Sequence, residues 1–303
     1  MPDTIASRTA EGSMRQSESL FFEIRRLRYH VRHWAGDPAR RLVLLHGWMD
    51  VSASFQFLVD ALAADWDVYA PDWRGYGLSD WGRSDCYWFP DYLADLDALL
   101  EAFHADAGVN LVGHSLGGNV AALYAGIRPP RVARLVNLEG FGLAATTPEQ
   151  APARYRRWLD ELRAPPGLRP YADFAALADR MQKGNPRLTR ARAEFLARHW
   201  GRAQADGQVV LRGDPAHKII SPLLYRYEEA RACWSDVRAP VLWVDASDTQ
   251  LLRRARISAE DHAARRAAFA QLRYVTVQDA GHMLHHDQPE AVARLIEEFL
   301  VEP

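Results

Sequence analysis

What most constrains this chain is a series of short, uninterrupted apolar runs, each ending in small or polar residues. Arg41-Leu-Val-Leu-Leu45 stops at His46-Gly47, and similar runs recur at Val68-Tyr-Ala70, Val109-Asn-Leu-Val112, Leu135-Val-Asn-Leu138, Val241-Leu-Trp-Val244 and Tyr274-Val-Thr-Val277. A strand that is apolar at every position has both faces covered, as in a parallel sheet with helices on either side. Helical patterns separate most of the runs. Tyr92, Leu93, Leu96, Leu99, Leu100 and Phe103 fall at steps of three and four, and Val292, Leu295, Ile296 and Phe299 repeat that spacing. Strands alternating with helices predict an α/β protein with a doubly wound, mostly parallel sheet. Ahead of it, alternation from Leu20 to Trp34 predicts a hairpin with arginines on its wet face.

Between about Leu143 and Ala239 the strand signal disappears. Helical stretches at Arg154–Leu162, Phe174–Met181 and Arg190–Trp200 are punctuated by Pro165, Pro166, Pro170, Pro186 and Pro215. This predicts a helical cap at 143–239 inserted into a core formed by 19–142 and 240–303. The polar residues 1–18 read as a loose, disordered tail without the apolar centre of a signal peptide. No stretch approaches the ~20 apolar residues that cross a bilayer, so the expectation is a cytoplasmic protein without a membrane span. Thirty-seven Lys+Arg against 39 Asp+Glu leave a net charge of −2, which argues against nucleic acid as a partner. Cys86 and Cys233 lie far apart and match no metal-ligand spacing. No phosphate-binding loop or metal grouping is visible in the pattern, so no cofactor is expected, and oligomeric state is not encoded in any motif.

Chemistry concentrates after the apolar runs. Gly113-His-Ser115-Leu-Gly117 joins a strand to an Ala-rich helical segment. A turn this sharp needs small residues two before and two after the serine, and lifts its hydroxyl above the sheet. The competing reading is a glycine-rich turn with an idle serine. A serine nucleophile needs a base within hydrogen-bond reach. His282, in Asp279-Ala-Gly-His-Met-Leu just past the last apolar run, is the preferred candidate; His285 and His286 compete. The base in turn needs a carboxylate to hold its tautomer. Glu139, at the end of Leu135–Leu138, is preferred over Asp248, which lies beyond Val241–Val244; Asp245 is a third option. The backbone N–H groups of Trp48 and Leu116 are candidates for an oxyanion hole. His46 reads as a residue bracing the loop.

These stretches together resemble the α/β-hydrolase superfamily: His46-Gly47-Trp48, Pro71-Asp-Trp-Arg-Gly-Tyr-Gly-Leu-Ser-Asp80, Gly113-His-Ser-Leu-Gly-Gly118 and Ala280-Gly-His282, in the usual order. The resemblance implies Ser115 as nucleophile, His282 as base, and Trp48 and Leu116 as oxyanion donors. It also implies a structural role for the Asp72–Asp80 loop. Asn137-Leu-Glu139-Gly140 is similar to the branch related to haloalkane dehalogenases and epoxide hydrolases, whose acid follows the earlier strand. Those enzymes use an aspartate nucleophile, so serine here implies a different reaction.

The expected function is hydrolysis of a small-molecule ester through an acyl-enzyme, with the cap walling a pocket and Trp48, Trp158, Trp200 and Trp234 as candidate lining. One alternative keeps the triad but cleaves a carbon–carbon bond in a ketone substrate, using Arg198, His199 or His217 to stabilise an enolate. Another is a non-catalytic ligand-binding protein on the same scaffold.

Overall fold

The computed structural model describes residues 14–103 and 108–301. The chain opens with strands β1 (Glu18–Ile24) and β2 (Leu27–Trp34), followed by β3 (Asp37–Leu45), helix α1 (Gln56–Ala61) and β4 (Trp66–Pro71). Helix α2 (Phe89–Phe103), β5 (Val109–His114), α3 (Leu116–Ile127) and β6 (Val132–Leu138) complete the first half. An insertion carries α4 (Ala151–Arg163), α5 (Phe174–Gly184), α6 (Arg190–Trp200), β7 (Gly201–Ala203), β8 (Val209–Leu211) and α7 (Tyr227–Ser235). The chain then returns through β9 (Val241–Ala246), α8 (Leu251–Arg254), α9 (Ala259–Arg266), β10 (Leu272–Val277), α10 (Leu284–Asp287) and α11 (Pro289–Val301).

Eight strands form one sheet in the order β1-β2-β4-β3-β5-β6-β9-β10. The β1–β2 hairpin turns through Arg25 and Arg26, at φ 46 and 67, and β2 pairs antiparallel with β4; every later pairing is parallel. The apolar runs of the inner strands are buried on two faces, as their unbroken character requires, whereas Tyr274 on the edge strand β10 is exposed. Val43 and Leu45 pack with Leu96, Leu100, Val120 and Tyr124 of α2 and α3. Leu42 and Leu44 point the other way, onto Leu58 of α1 and Val292, Ile296 and Phe299 of α11.

Three boundaries differ from the sequence expectation. Residues 1–13 of the expected tail lie outside the described residues, but β1 begins at Glu18, inside it. Arg15 is also fastened, donating to the carbonyls of Ala35 at 2.8 Å and Trp66 at 2.9 Å. The insertion is not wholly helical, since β7 and β8 pair antiparallel; three-residue strands are too short to show a period. Finally, α7 belongs to the body: Trp234, Val237 and Ala239 join the core under α2 and α3. The cap proper has its own small core, with Leu177, Leu188 and Leu196 packed on Phe57 from α1. No helix among the described residues is long and apolar enough to cross a membrane.

Candidate active site

Ser115 sits between β5 and α3 with φ 52 and ψ −114, a backbone state costly for any residue with a Cβ. Its N–H donates to the Leu138 carbonyl at 2.8 Å, and its carbonyl accepts from Asn119 N at 3.0 Å. The flanking glycines are required by contact. A methyl group on Gly113 would overlap the Gly117 carbonyl, and one on Gly117 the Leu45 carbonyl. The turn therefore holds the serine at the positive end of α3, with Leu116 N at the first helical position.

Glu139 follows β6 at φ 59, turning its fully buried side chain toward β9. Oε1 accepts from Ala246 N at 2.8 Å, and Oε2 accepts from the Thr249 hydroxyl at 2.5 Å and faces His282 Nδ1 at 3.2 Å. Asn137 closes the bend behind it, bonding both the N–H and the carbonyl of Gly140 at 2.9 Å. His282 is only partly exposed, its loop tied by Gly281 N to Asp287 at 2.8 Å. Burial pushes Glu139 up to about 7. Burial, with the Arg254 cation nearby, pushes His282 down to about 4. Each effect favours a neutral group, while the 3.2 Å contact favours the charged pair. The neutral imidazole that burial favours is the form able to accept a proton.

The neighbour of Ser115, His114, ties this loop to the elbow. Its Nε2 donates to the His282 carbonyl at 2.8 Å, and the two rings lie 4.6 Å apart. Gly47 completes the corner, where an added Cβ would stand 3.3 Å from that of Ser115. That brings Trp48 to the same edge. Its indole donates to the His217 carbonyl at 3.2 Å, joining the loop to the insertion. His46 braces this loop, accepting from Trp73 N at 2.9 Å and donating to the Gly47 carbonyl at 2.8 Å. Asp72 plays a comparable part in its own loop, accepting from Ser52 N at 2.7 Å and Leu78 N at 2.9 Å.

The competing acids and bases lie elsewhere. Asp248 is exposed and ion-paired with Arg187, so it does not hold His282. Asp245 accepts from the Trp243 indole at 2.8 Å and faces His262 at 3.4 Å. His286 meets the Ser54 hydroxyl at 2.6 Å, and His285 is fully buried against His114, ring centroids 4.5 Å apart. Asp50, His114 and His285 are buried behind the elbow, each offering one ligand atom within 4.8 Å of the others. Among the described residues this is the grouping that could hold a metal ion, and Asp50 Oδ2, His114 Nδ1 and both His285 nitrogens lack partners. Its members are separated by 64 and 171 positions (114 − 50 and 285 − 114), so no spacing rule could find it.

A cavity of about 410 Å³ opens over Ser115 and Leu116, with Trp48, Trp88, Phe89 and Tyr92 among its walls; the insertion adds Arg154, Arg157 and residues 217–221. Of the four tryptophans expected to line it, Trp48 does, while Trp158 of α4 is not among its walls. Trp234 is core, and Trp200 lines a separate cavity of about 270 Å³ between α5, α6 and Met283. Arg198 and His199 line a small cleft beside Asp72 instead. His217 does reach the cavity but is stacked between Tyr76 and Tyr87, at 3.8 and 3.9 Å. Both its ring nitrogens are engaged, by the Tyr92 hydroxyl at 3.2 Å and the Arg74 carbonyl at 3.1 Å. Sequence reasoning missed Thr249 and the α2 aromatics, which carried only a helical-core signal.

A doubly wound sheet with a serine elbow after its central strand defines the class. Residues 40–289 match the family model for the alpha/beta hydrolase fold, and the chain belongs to that family. It is similar to a serine hydrolase-like protein of Danio rerio, 28% identical over 282 residues that span 88% of this chain and 83% of that one. Among solved structures, the thioesterase domain of a curacin biosynthetic pathway superposes with a TM-score of 0.83 at 24% identity, covering 93% of this chain and 99% of that one. An esterase of Mycobacterium tuberculosis superposes at 0.71 and 22% identity, covering 95% and 92%. At such identities the structural likeness establishes the fold.

Proposed function

We propose that the chain is a serine hydrolase that cleaves a small-molecule ester through an acyl-enzyme on Ser115. The observation that carries this reading is the buried Glu139 carboxylate, held by two other donors and aimed at His282 Nδ1, beside a strained serine that opens into an aromatic cavity. With Nδ1–H facing Glu139, His282 offers Nε2 as the base. Ser115 Oγ attacks the ester carbonyl carbon as its proton passes to Nε2, and the Trp48 and Leu116 amides receive the developing oxyanion. The imidazolium protonates the departing alcohol. Water then attacks the acyl carbonyl, again deprotonated by His282, and the acid leaves as Ser115 recovers its proton.

The carbon–carbon reading loses its cap candidates, because Arg198 and His199 are elsewhere and the His217 nitrogens are committed. The test is covalent. A fluorophosphonate should add once, at Ser115, and Ser115→Ala should abolish labelling and lower turnover of short p-nitrophenyl esters by at least ~10⁴-fold. A folded wild-type protein that is neither labelled nor active would instead be a ligand-binding member of the fold.

A further inference from the structure

Building on that hydrolase reading, we propose that the substrate carries an anionic group, a carboxylate or a phosphate, seated on Arg154, Arg157 and Lys218 at the insertion side of the Ser115 cavity. These three cations line the same cavity as the serine. Arg154 is half-buried there, its Nε donating to the Ser221 carbonyl at 2.8 Å. Among the described residues no carboxylate forms an ion pair with it. Burial and the neighbouring Arg157 both push its pKa down, the signature of a cation without a counter-charge. Arg157 has a carboxylate partner in Glu161 at 2.7 Å, but the other Glu161 oxygen already accepts from Ile220 N at 2.6 Å. Among the described residues Lys218 reaches only a carbonyl, that of Gly167, at 3.1 Å.

The rim thus sets three cations against one committed carboxylate. A solvated helix face would account for Arg157, which is mostly exposed, but not for Arg154 turned into the wall. A desolvated guanidinium beside a second cation destabilises the empty site, and an oxyanion would relieve both at once. The arginine fork matches such a group with two parallel hydrogen bonds. Trp48, Trp88, Phe89 and Tyr92 line the same cavity, which suits an apolar stretch between the anion and the scissile carbonyl.

The test compares p-nitrophenyl pentanoate with mono-p-nitrophenyl glutarate, which replaces the terminal methyl of the acyl chain by carboxylate, corrected for spontaneous hydrolysis. A phosphonate-ended acyl ester and esters bearing the carboxylate on the alcohol complete the set. The expected result is a kcat/KM at least 10-fold higher for one anionic ester than for its neutral partner. The ratio should fall as salt rises from 0.02 to 0.5 M, and drop to within about threefold of one in Arg154→Met. Because the ratio is taken within one protein sample, partial misfolding of the variant does not mimic this outcome. Should that variant not fold, Lys218→Ala must still lower the ratio. Turnover of the neutral ester with no preference for any anionic one would overturn the inference and leave the hydrolase reading standing. No turnover of any ester, with no fluorophosphonate labelling, would remove both.

Discussion

Glu139 and Asp248 follow neighbouring strands of the sheet, yet only one of them faces an imidazole. Asp248 lies two residues past β9, where its side chain meets solvent and Arg187. Glu139 comes directly after β6, and its left-handed backbone turns the carboxylate inward onto three donors. Removing the charge of Glu139 should therefore leave His282 without its orienting partner. Glu139→Gln is expected to lower kcat/KM by about 10³–10⁴-fold, while Asp248→Asn stays within about twofold; steady-state kinetics with the ester that reacts fastest would measure both. An equal loss in the two variants, or loss in Asp248→Asn alone, would rule out Glu139 as the orienting acid. Thr249 supports the same carboxylate through one hydroxyl, so Thr249→Val should cost about 10-fold. The serine and this histidine were legible because each follows an apolar run with glycine beside it. Thr249 was not, because a hydroxyl in a polar loop carries no period and its partner lies 110 positions away.

The inner β-strands of the parallel sheet were legible for a single reason: burial on both faces removes polar residues from both; the edge strand β10 keeps an apolar run although Arg273 and Tyr274 are exposed. The amphipathic helices were legible from one stripe each. What escaped the sequence was made by pairing between distant segments or by elements too short for a period, as with β7, β8 and the Arg15 anchor. Helix α3 shows how tightly the elements depend on one another. Gly117 lies against the Leu45 carbonyl and Gly126 against the Cys233 carbonyl, each too close for a methyl group. The helix is therefore clamped between β3 on one side and α7 on the other. Gly117→Ala and Gly126→Ala should each destabilise the fold by about 1–3 kcal/mol, lowering Tm by several degrees in a thermal melt. Gly167→Ala is the control. It has open space around its Cβ position and should melt within about a degree of the parent; if the three behave alike, close approach is not the reason for the glycines in α3.

Across the whole molecule, histidine burial couples the region around the site to pH. His46, His114, His217, His262, His285 and His286 are all buried. All six have pKa values lowered from 6.5, chiefly by burial. In the unfolded chain each takes up a proton as pH falls through about 6.5, while in the folded chain it stays neutral. Their contribution to stability is thus complete above pH 6.5 and is lost below it. Three buried carboxylates act in the opposite sense, with Asp50 and Glu139 pushed up to about 7 and Asp245 to about 6. Each holds its proton in the folded state where the unfolded chain has released it, so stability rises as pH falls toward 4. Between pH 7 and 5.5 the histidines lose stability while the carboxylates gain it, and the histidines are twice as numerous. The loss should outweigh the gain, so Tm at pH 5.5 should fall below its value at pH 7. His285 isolates one member of the set, since neither of its ring nitrogens has a partner to lose. His285→Phe, close in shape and without a titrating group, should narrow the stability gap between the two pH values. Denaturant titration at both pH values measures that gap directly. A gap unchanged by the substitution would mean that the acid sensitivity arises from groups other than these imidazoles.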